Sequence, residues 1–146
     1  MIRVIFFDLG DTLVTKNRQW IPNANATLAI FRQKGIRLGI ISNTGDLPRP
    51  KILEMLPVDF DLQIFEPALI IFSSEVDVEK PDPQIFKLAL SKAGIDAADC
   101  LFCTEELGHS LIAQGVGFKA ARILPPPLMD IAHLSDILIE TGLVCS

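Results

Sequence analysis

Two aspartates, Asp8 and Asp11, close the short apolar run in FFDLGDTL. A hydroxyl residue, Ser42, ends a second such run, Lys80 stands just before an amphipathic stretch, and Glu105 and Glu106 follow a later run. A carboxylate, a hydroxyl, a lysine and an acidic pair are the parts needed for phosphoryl transfer through an aspartyl-phosphate. In that chemistry the carboxylate attacks phosphorus, lysine and hydroxyl take up the phosphoryl oxygens, and a divalent cation bridges nucleophile and phosphate. Magnesium takes hard oxygen ligands, which Asp8, a backbone carbonyl and Glu105 or Glu106 can offer. Singly, each of these residues also fits a turn, a cap or a solvated charge; together they point to one site.

The elements that must position them are legible as apolar runs. RVIFF (3–7), RLGIIS (37–42), ALIIFS (68–73), CLFC (100–103) and KAARIL (119–124) are short and mostly uninterrupted, as strands buried on both faces are. Between them lie helical patterns. The clearest is DPQIFKLALSKAG, with Asp82 as N-cap, Pro83 at the first helical position, an Ile85/Phe86/Ala89/Leu90/Ala93 stripe and Gly94 as stop. Pro22 to Lys34 and Ile131 to Thr141 predict two more helices, and 48–56 and 110–116 two shorter ones. Strand alternating with helix predicts an α/β fold, a Rossmann-like three-layer sandwich around a central parallel five-stranded sheet. Ligands in such folds sit beyond the carboxyl ends of the strands. Asp8, Ser42-Asn43-Thr44, Ser73 to Glu75 and Thr104 to Glu106 all fall there, which predicts an acidic pocket at one edge. The triple proline 125–127 reads as a stiff connection.

A chain of 146 residues is long enough for one domain, here 1–146. With 49% hydrophobic and 21% charged residues, disorder is not expected. The net charge of −5 argues against nucleic acid or an anionic membrane as the main partner. No apolar run reaches membrane-span length, and MIRVIFF stops too early for a signal-peptide core, so the expected location is cytoplasmic. Three cysteines suggest reduced thiols. Cys100 and Cys103 form a C-x-x-C, but their offset puts them on opposite faces of a strand and no second pair completes a zinc set, so burial is the expectation.

In order and wording these motifs resemble the haloacid dehalogenase superfamily, mostly phosphatases. FFDLGDTL is similar to its first motif, IISNT to its second, and SSEVDVEKPDPQIF to its third with the usual lead-in and following helix. The resemblance spans about 1–141 and implies Asp8 as nucleophile, Ser42 as phosphate-binding hydroxyl with Asn43 beside it, and Lys80 neutralising nucleophile and phosphate. It implies Mg²⁺ held by Asp8, the Gly10 carbonyl and Glu105. Two departures stand out. The family places a second aspartate, the acid that protonates the leaving oxygen, two positions after the nucleophile, where this chain has Gly10. Asp11 is one residue further and is expected to organise the turn. Loss of a general acid typically costs about 10²–10⁴ in rate. In the fourth motif, CLFCTEELGHSL offers Glu105 where an acidic ligand is usual, but only His109 or Ser110 where a second aspartate follows. His109 reads either as a substitute ligand or acid–base group, or as a surface polar residue at a helix start; His133 reads as structural.

Spacing bears on substrate. Members of the family often carry a cap inserted after the first motif or between the second and third. Leu13 to Pro22 leaves room for a short flap only, and the residues between Ser42 and Lys80 are needed for a helix and a strand, so no cap domain is expected. An open site suits a large substrate, a second copy of the chain or a protein partner that completes the enclosure. Trp20 and Ile21 in the flap fit partner contact or core packing equally. The sequence supports a Mg²⁺-dependent phosphohydrolase acting on a phosphorylated substrate, including acyl phosphates, whose leaving groups need no acid. The alternative is an impaired enzyme that serves as a binding module. Carbon–halogen hydrolysis fits less well, because it wants a cap-lined pocket.

Overall fold

The computed structural model describes residues 1–123 and 131–145. Its five strands are β1 (Val4–Phe7), β2 (Arg37–Ser42), β3 (Ile70–Phe72), β4 (Cys100–Thr104) and β5 (Lys119–Arg122). They form one parallel sheet in the order β3-β2-β1-β4-β5. Among the described residues five α-helices lie between them, α1 (Ala24–Gln33), α2 (Arg49–Leu53), α3 (Ser73–Val76), α4 (Pro83–Ala93) and α5 (Leu107–Val116), and α6 (Ala132–Glu140) follows β5.

The side chains of the strands sort by parity into two cores, as a pleat requires. Ile5, Phe7, Leu38, Ile40, Leu101 and Cys103 pack with α1 and α6 on one face. Val4, Phe6, Ile41, Ile71, Cys100 and Phe102 pack with α4 and α5 on the other. Parallel strands covered on both faces must be apolar throughout, which explains the unbroken runs. Phe6 lies opposite Gly39 in the register. A Cβ at Gly39 would come within 2.6 Å of the Phe6 ring, so only glycine leaves room for it. Helix α4 is built as its sequence predicts: the Asp82 carboxylate accepts from the Gln84 N–H at 2.9 Å, and Gly94 closes the helix with φ +69°.

Three expectations need correction. The fifth strand is not buried on both faces: Lys119 and Arg122 are exposed and the alanines between them half-buried, because β5 is an edge strand with β4 as its one partner. Helix α5 starts at Leu107 rather than 110, and the short α3 follows β3 directly where only polar strand-end residues were read. The triple proline, Leu124 and the side chain of His133 lie outside the described residues.

Neither possible insertion point carries a separate folded unit. The flap is a small turn-back in which Val14 bridges Trp20. Ile21 is fully buried, while Trp20 stacks on Phe60 at 5.0 Å and donates from Nε1 to Asp59 at 2.8 Å, so packing within the chain accounts for both. The stretch 43–79 is used up by α2, short 3₁₀ turns, β3 and α3. No helix among the described residues is long and apolar enough to cross a membrane.

Candidate active site

From β1 the chain builds outward to β2 and β3, then crosses to β4 and β5 on the other side, so strand order reverses between β1 and β4. Such a reversal leaves a crevice at the carboxyl ends of the two strands. Asp8 follows β1 directly, and its N–H donates to the Cys103 carbonyl of β4 at 3.0 Å. Glu105 and Glu106 follow β4, and Ser42 ends β2.

Lys80 reaches this edge from the loop before α4. Its ammonium lies 2.9 Å from Asp8 Oδ2 and donates to the Ile41 carbonyl at 2.9 Å, with the Phe102 ring 5.3 Å away. The side chain is 1% exposed, against 16% for Asp8. Burial pushes the Lys80 pKa down, and the Asp8 carboxylate, then Glu106, oppose that push. A buried ammonium is costly unless it is paired and hydrogen-bonded, and here both conditions are met.

The loops are tied together around this pair. The Asn43 amide grips the Lys80 backbone at both ends, donating to its carbonyl and accepting from its N–H, each at 2.9 Å. With its side chain so engaged, Asn43 can meet a phosphate through its main-chain N–H, which donates no hydrogen bond among the described residues. Thr44 fixes the second loop to α3: its N–H donates to Ser73 Oγ at 2.8 Å and its hydroxyl to Ser74 Oγ at 2.8 Å. Thr104 donates to Asp8 Oδ2 at 3.4 Å and accepts from the Glu106 N–H at 3.1 Å. The Glu105 N–H donates to the buried Thr12 hydroxyl at 3.1 Å. Ser42, by contrast, is a buried residue whose hydroxyl makes no hydrogen bond among the described residues and keeps some access to solvent.

The structure therefore brings Asp8, Lys80, Ser42 and Asn43 to one place, as the sequence predicts. It separates Asp11 from them in role. Asp11 adopts φ +57° and its N–H closes the turn onto the Val14 carbonyl at 2.8 Å, a backbone position that favours Gly, Asn and Asp. His109 does not simply face solvent. Its Nδ1 is buried with no hydrogen-bond partner. Burial lowers its pKa first and Lys80 second, with Asp8 and Glu106 opposing, which places it within electrostatic reach of all three. Sequence reasoning missed the roles of Thr44 and Thr104; the one available signal was a hydroxyl at the end of each apolar run.

A hard cation fits the donors here. The Gly10 carbonyl, two residues after Asp8, accepts no hydrogen bond among the described residues. Among the described residues no group of three or more His, Cys, Asp or Glu is placed to hold a metal ion, whereas Mg²⁺ also accepts carbonyl and water oxygens. Of the two glutamates, Glu106 is the one coupled electrostatically to Lys80 and His109. The C-x-x-C thiols face opposite cores; burial raises Cys100 to about 11 and Cys103 further.

A family model described as haloacid dehalogenase-like hydrolase matches residues 17–103, more than half of the chain, including Ser42 and Lys80. The phosphoglycolate phosphatase of Yersinia pseudotuberculosis is 28% identical over 141 residues, covering 89% of this chain and 59% of that protein. The glyceraldehyde 3-phosphate phosphatase of Pyrococcus abyssi is 36% identical over 101 residues, covering 68% of this chain and 40% of the relative. The chain thus spans 59% and 40% of the length of these two relatives. Among solved structures, an enzyme of this family from Bacteroides thetaiotaomicron, in complex with magnesium and inorganic phosphate, superposes with a TM-score of 0.73 at 16% identity, covering 92% of this chain and 99% of that one. A phosphatase from Thermococcus onnurineus gives 0.73 at 17% identity, covering 94% and 98%.

Proposed function

Since this chain belongs to the haloacid dehalogenase-like hydrolases, we propose that it is a Mg²⁺-dependent phosphohydrolase working through an aspartyl-phosphate on Asp8. The observation that carries this reading is the buried Lys80 ammonium held against the Asp8 carboxylate at the strand-order reversal. A purely structural lysine would gain nothing from burial beside a partly open crevice; a lysine that must neutralise both a nucleophile and an incoming phosphate would.

Asp8 attacks phosphorus, the bond from phosphorus to the leaving oxygen breaks, and the leaving group departs with the electron pair. Lys80 and the unpartnered Ser42 hydroxyl take up phosphoryl oxygens, together with the main-chain N–H of Asn43. Water then attacks phosphorus, releasing phosphate and restoring the Asp8 carboxylate. Magnesium would be held by Asp8, the Gly10 carbonyl and Glu105 or Glu106, and when bound it supplies charge neutralisation between nucleophile and phosphate. Gly10 provides no proton for the leaving oxygen. Substrates whose leaving groups need none, acyl and aryl phosphates, are therefore favoured over alkyl phosphates. The phosphatase names of the relatives support a phosphorylated substrate. The open edge leaves room for a large substrate, a second copy or a protein partner, and the unpaired, buried thiols of β4 support a reducing, cytoplasmic setting.

The test is hydrolysis of p-nitrophenyl phosphate and acetyl phosphate, with and without Mg²⁺, by the protein and by Asp8→Asn. Metal-dependent turnover lost in the variant is the expected result. The absent side chain at Gly10 favours a second reading, a domain that binds a phosphorylated ligand without turning it over; no turnover above Asp8→Asn on either substrate would select it.

A further inference from the structure

Beside the phosphate-binding groups lies a cavity of about 220 Å³ that the reaction as derived does not use. Its walls are Leu9 and Val14 from the first loop and Leu47, Ile52, Met55 and Leu56 from the segment after β2. Ser42, Asn43 and Thr44, with Asp11, Thr15 and Lys16 from the first loop, supply its polar lining. The cavity and the phosphate cradle thus share Ser42 and Asn43, and the cavity starts one residue beyond Asp8.

Gly10 also lines it. A Cβ at Gly10 would meet no atom within 4 Å, so the passage above this residue is open. The missing side chain therefore has two effects: it removes an acid and it leaves the cavity unfilled at this point of its lining.

Size and lining select the occupant. An aliphatic cavity of about 150 Å³ takes up benzene, whereas pockets for larger ligands run to about 300–1,000 Å³. A volume of 220 Å³ accordingly fits one ring with a small substituent. Six of the lining residues are hydrocarbon or thioether side chains, which suit the face of an apolar ring better than a hydroxyl-rich sugar. Leaving-group chemistry points the same way: a phenol ionises near pH 10, far below water at about 15.7, so a phenolate departs without the proton that Gly10 cannot give.

We propose that this cavity is the leaving-group subsite and that the substrate is a single-ring aryl phosphate. The inference rests on the phosphohydrolase reading and narrows it. Asp8 forms the new oxygen–phosphorus bond as the aryl oxygen–phosphorus bond breaks; the phenolate leaves with the electron pair and takes its proton from water.

Two measurements test it. In the first, phenylphosphonate and methylphosphonate compete for the site in the presence of Mg²⁺. The ring is expected to improve the inhibition constant about tenfold or more, as apolar groups do on entering a hydrophobic pocket. In the second, kcat/KM is measured for phenyl phosphate and acetyl phosphate with the protein and with Met55→Glu. Met55 is 57% exposed, so its replacement leaves the core intact, which a thermal melt checks. The ratio of phenyl to acetyl phosphate should fall about tenfold in the variant. Turnover of acetyl phosphate with equal phosphonate affinities, or with an unchanged ratio, overturns the subsite and leaves the phosphohydrolase standing. Absence of turnover on both substrates overturns the phosphohydrolase, and equal phosphonate affinities would then overturn the subsite as well.

Discussion

The Lys80 ammonium and the Asp8 carboxylate meet at 2.9 Å, with the lysine almost wholly removed from solvent. Burial depresses the Lys80 pKa and Asp8 resists that depression. Removing the carboxylate strands a buried charge, so Asp8→Asn should lose turnover and also about 3 kcal/mol of stability at pH 7. The sign of the pH dependence follows. A lysine whose folded pKa lies below its unfolded value destabilises the fold while it is protonated, and the deficit disappears as pH rises through the folded and then the unfolded pKa. The gap between Asp8→Asn and the parent in urea melts should therefore be smaller at pH 10 than at pH 7; an equal gap would mean that Lys80 is not the source.

Restoring an acid at Gly10 is sterically free, since its φ is not positive and a Cβ there meets nothing. Gly10→Asp should raise kcat/KM on an alkyl phosphate by about 10²-fold while changing an acyl phosphate little. The ratio of the two substrates reads the effect; no change would show that leaving-group protonation does not limit the reaction.

His109 should titrate below its ordinary value in the metal-free protein, chiefly because it is partly buried and secondarily because Lys80 is near. Lys80→Met should raise it. Both are read from imidazole resonances over pH 4–8 (about) by NMR. Because the folded state resists protonation, this residue makes the protein lose stability as pH falls below its unfolded pKa, and His109→Gln should flatten that slope. A rise in the His109 pKa without Lys80 absent, or no response to its removal, would contradict the assigned neighbours.

Of the three cysteines, Cys100 and Cys103 are buried with raised pKa values and Cys145 is exposed. A thiol-reactive chromophore should label Cys145 alone in the native protein and the other two on denaturation, since reactivity follows the accessible thiolate. Rapid labelling of Cys103 in the native state would contradict its place in the core.

Much of this was legible in the sequence because buried parallel strands and capped helices have local signatures. RVIFF and CLFC could hardly be anything but covered strands, and Asp82 with Gly94 marked both ends of α4. KAAR misled because an edge strand needs only one apolar face and can keep charges at both ends. Asp8, Ser42 and Lys80 were recognisable from their motifs. The Asn43 grip on Lys80, the Thr104 contact to Asp8 and the apolar cavity were not, since each joins segments distant in the chain and depends on how the loops lie. His109 was read in part as a surface residue because position at a helix start says nothing about what stands opposite.

The two-ended grip of Asn43 on the Lys80 backbone has a further consequence in polymer terms. It pins both ends of the intervening stretch, so that stretch is already a closed loop whose ends meet beside the nucleophile. Lengthening a closed loop adds only about 0.6 kcal/mol for each doubling. A connection within that stretch, outside β3 and its helices, could thus be lengthened with little thermodynamic penalty, provided the amide keeps its hold.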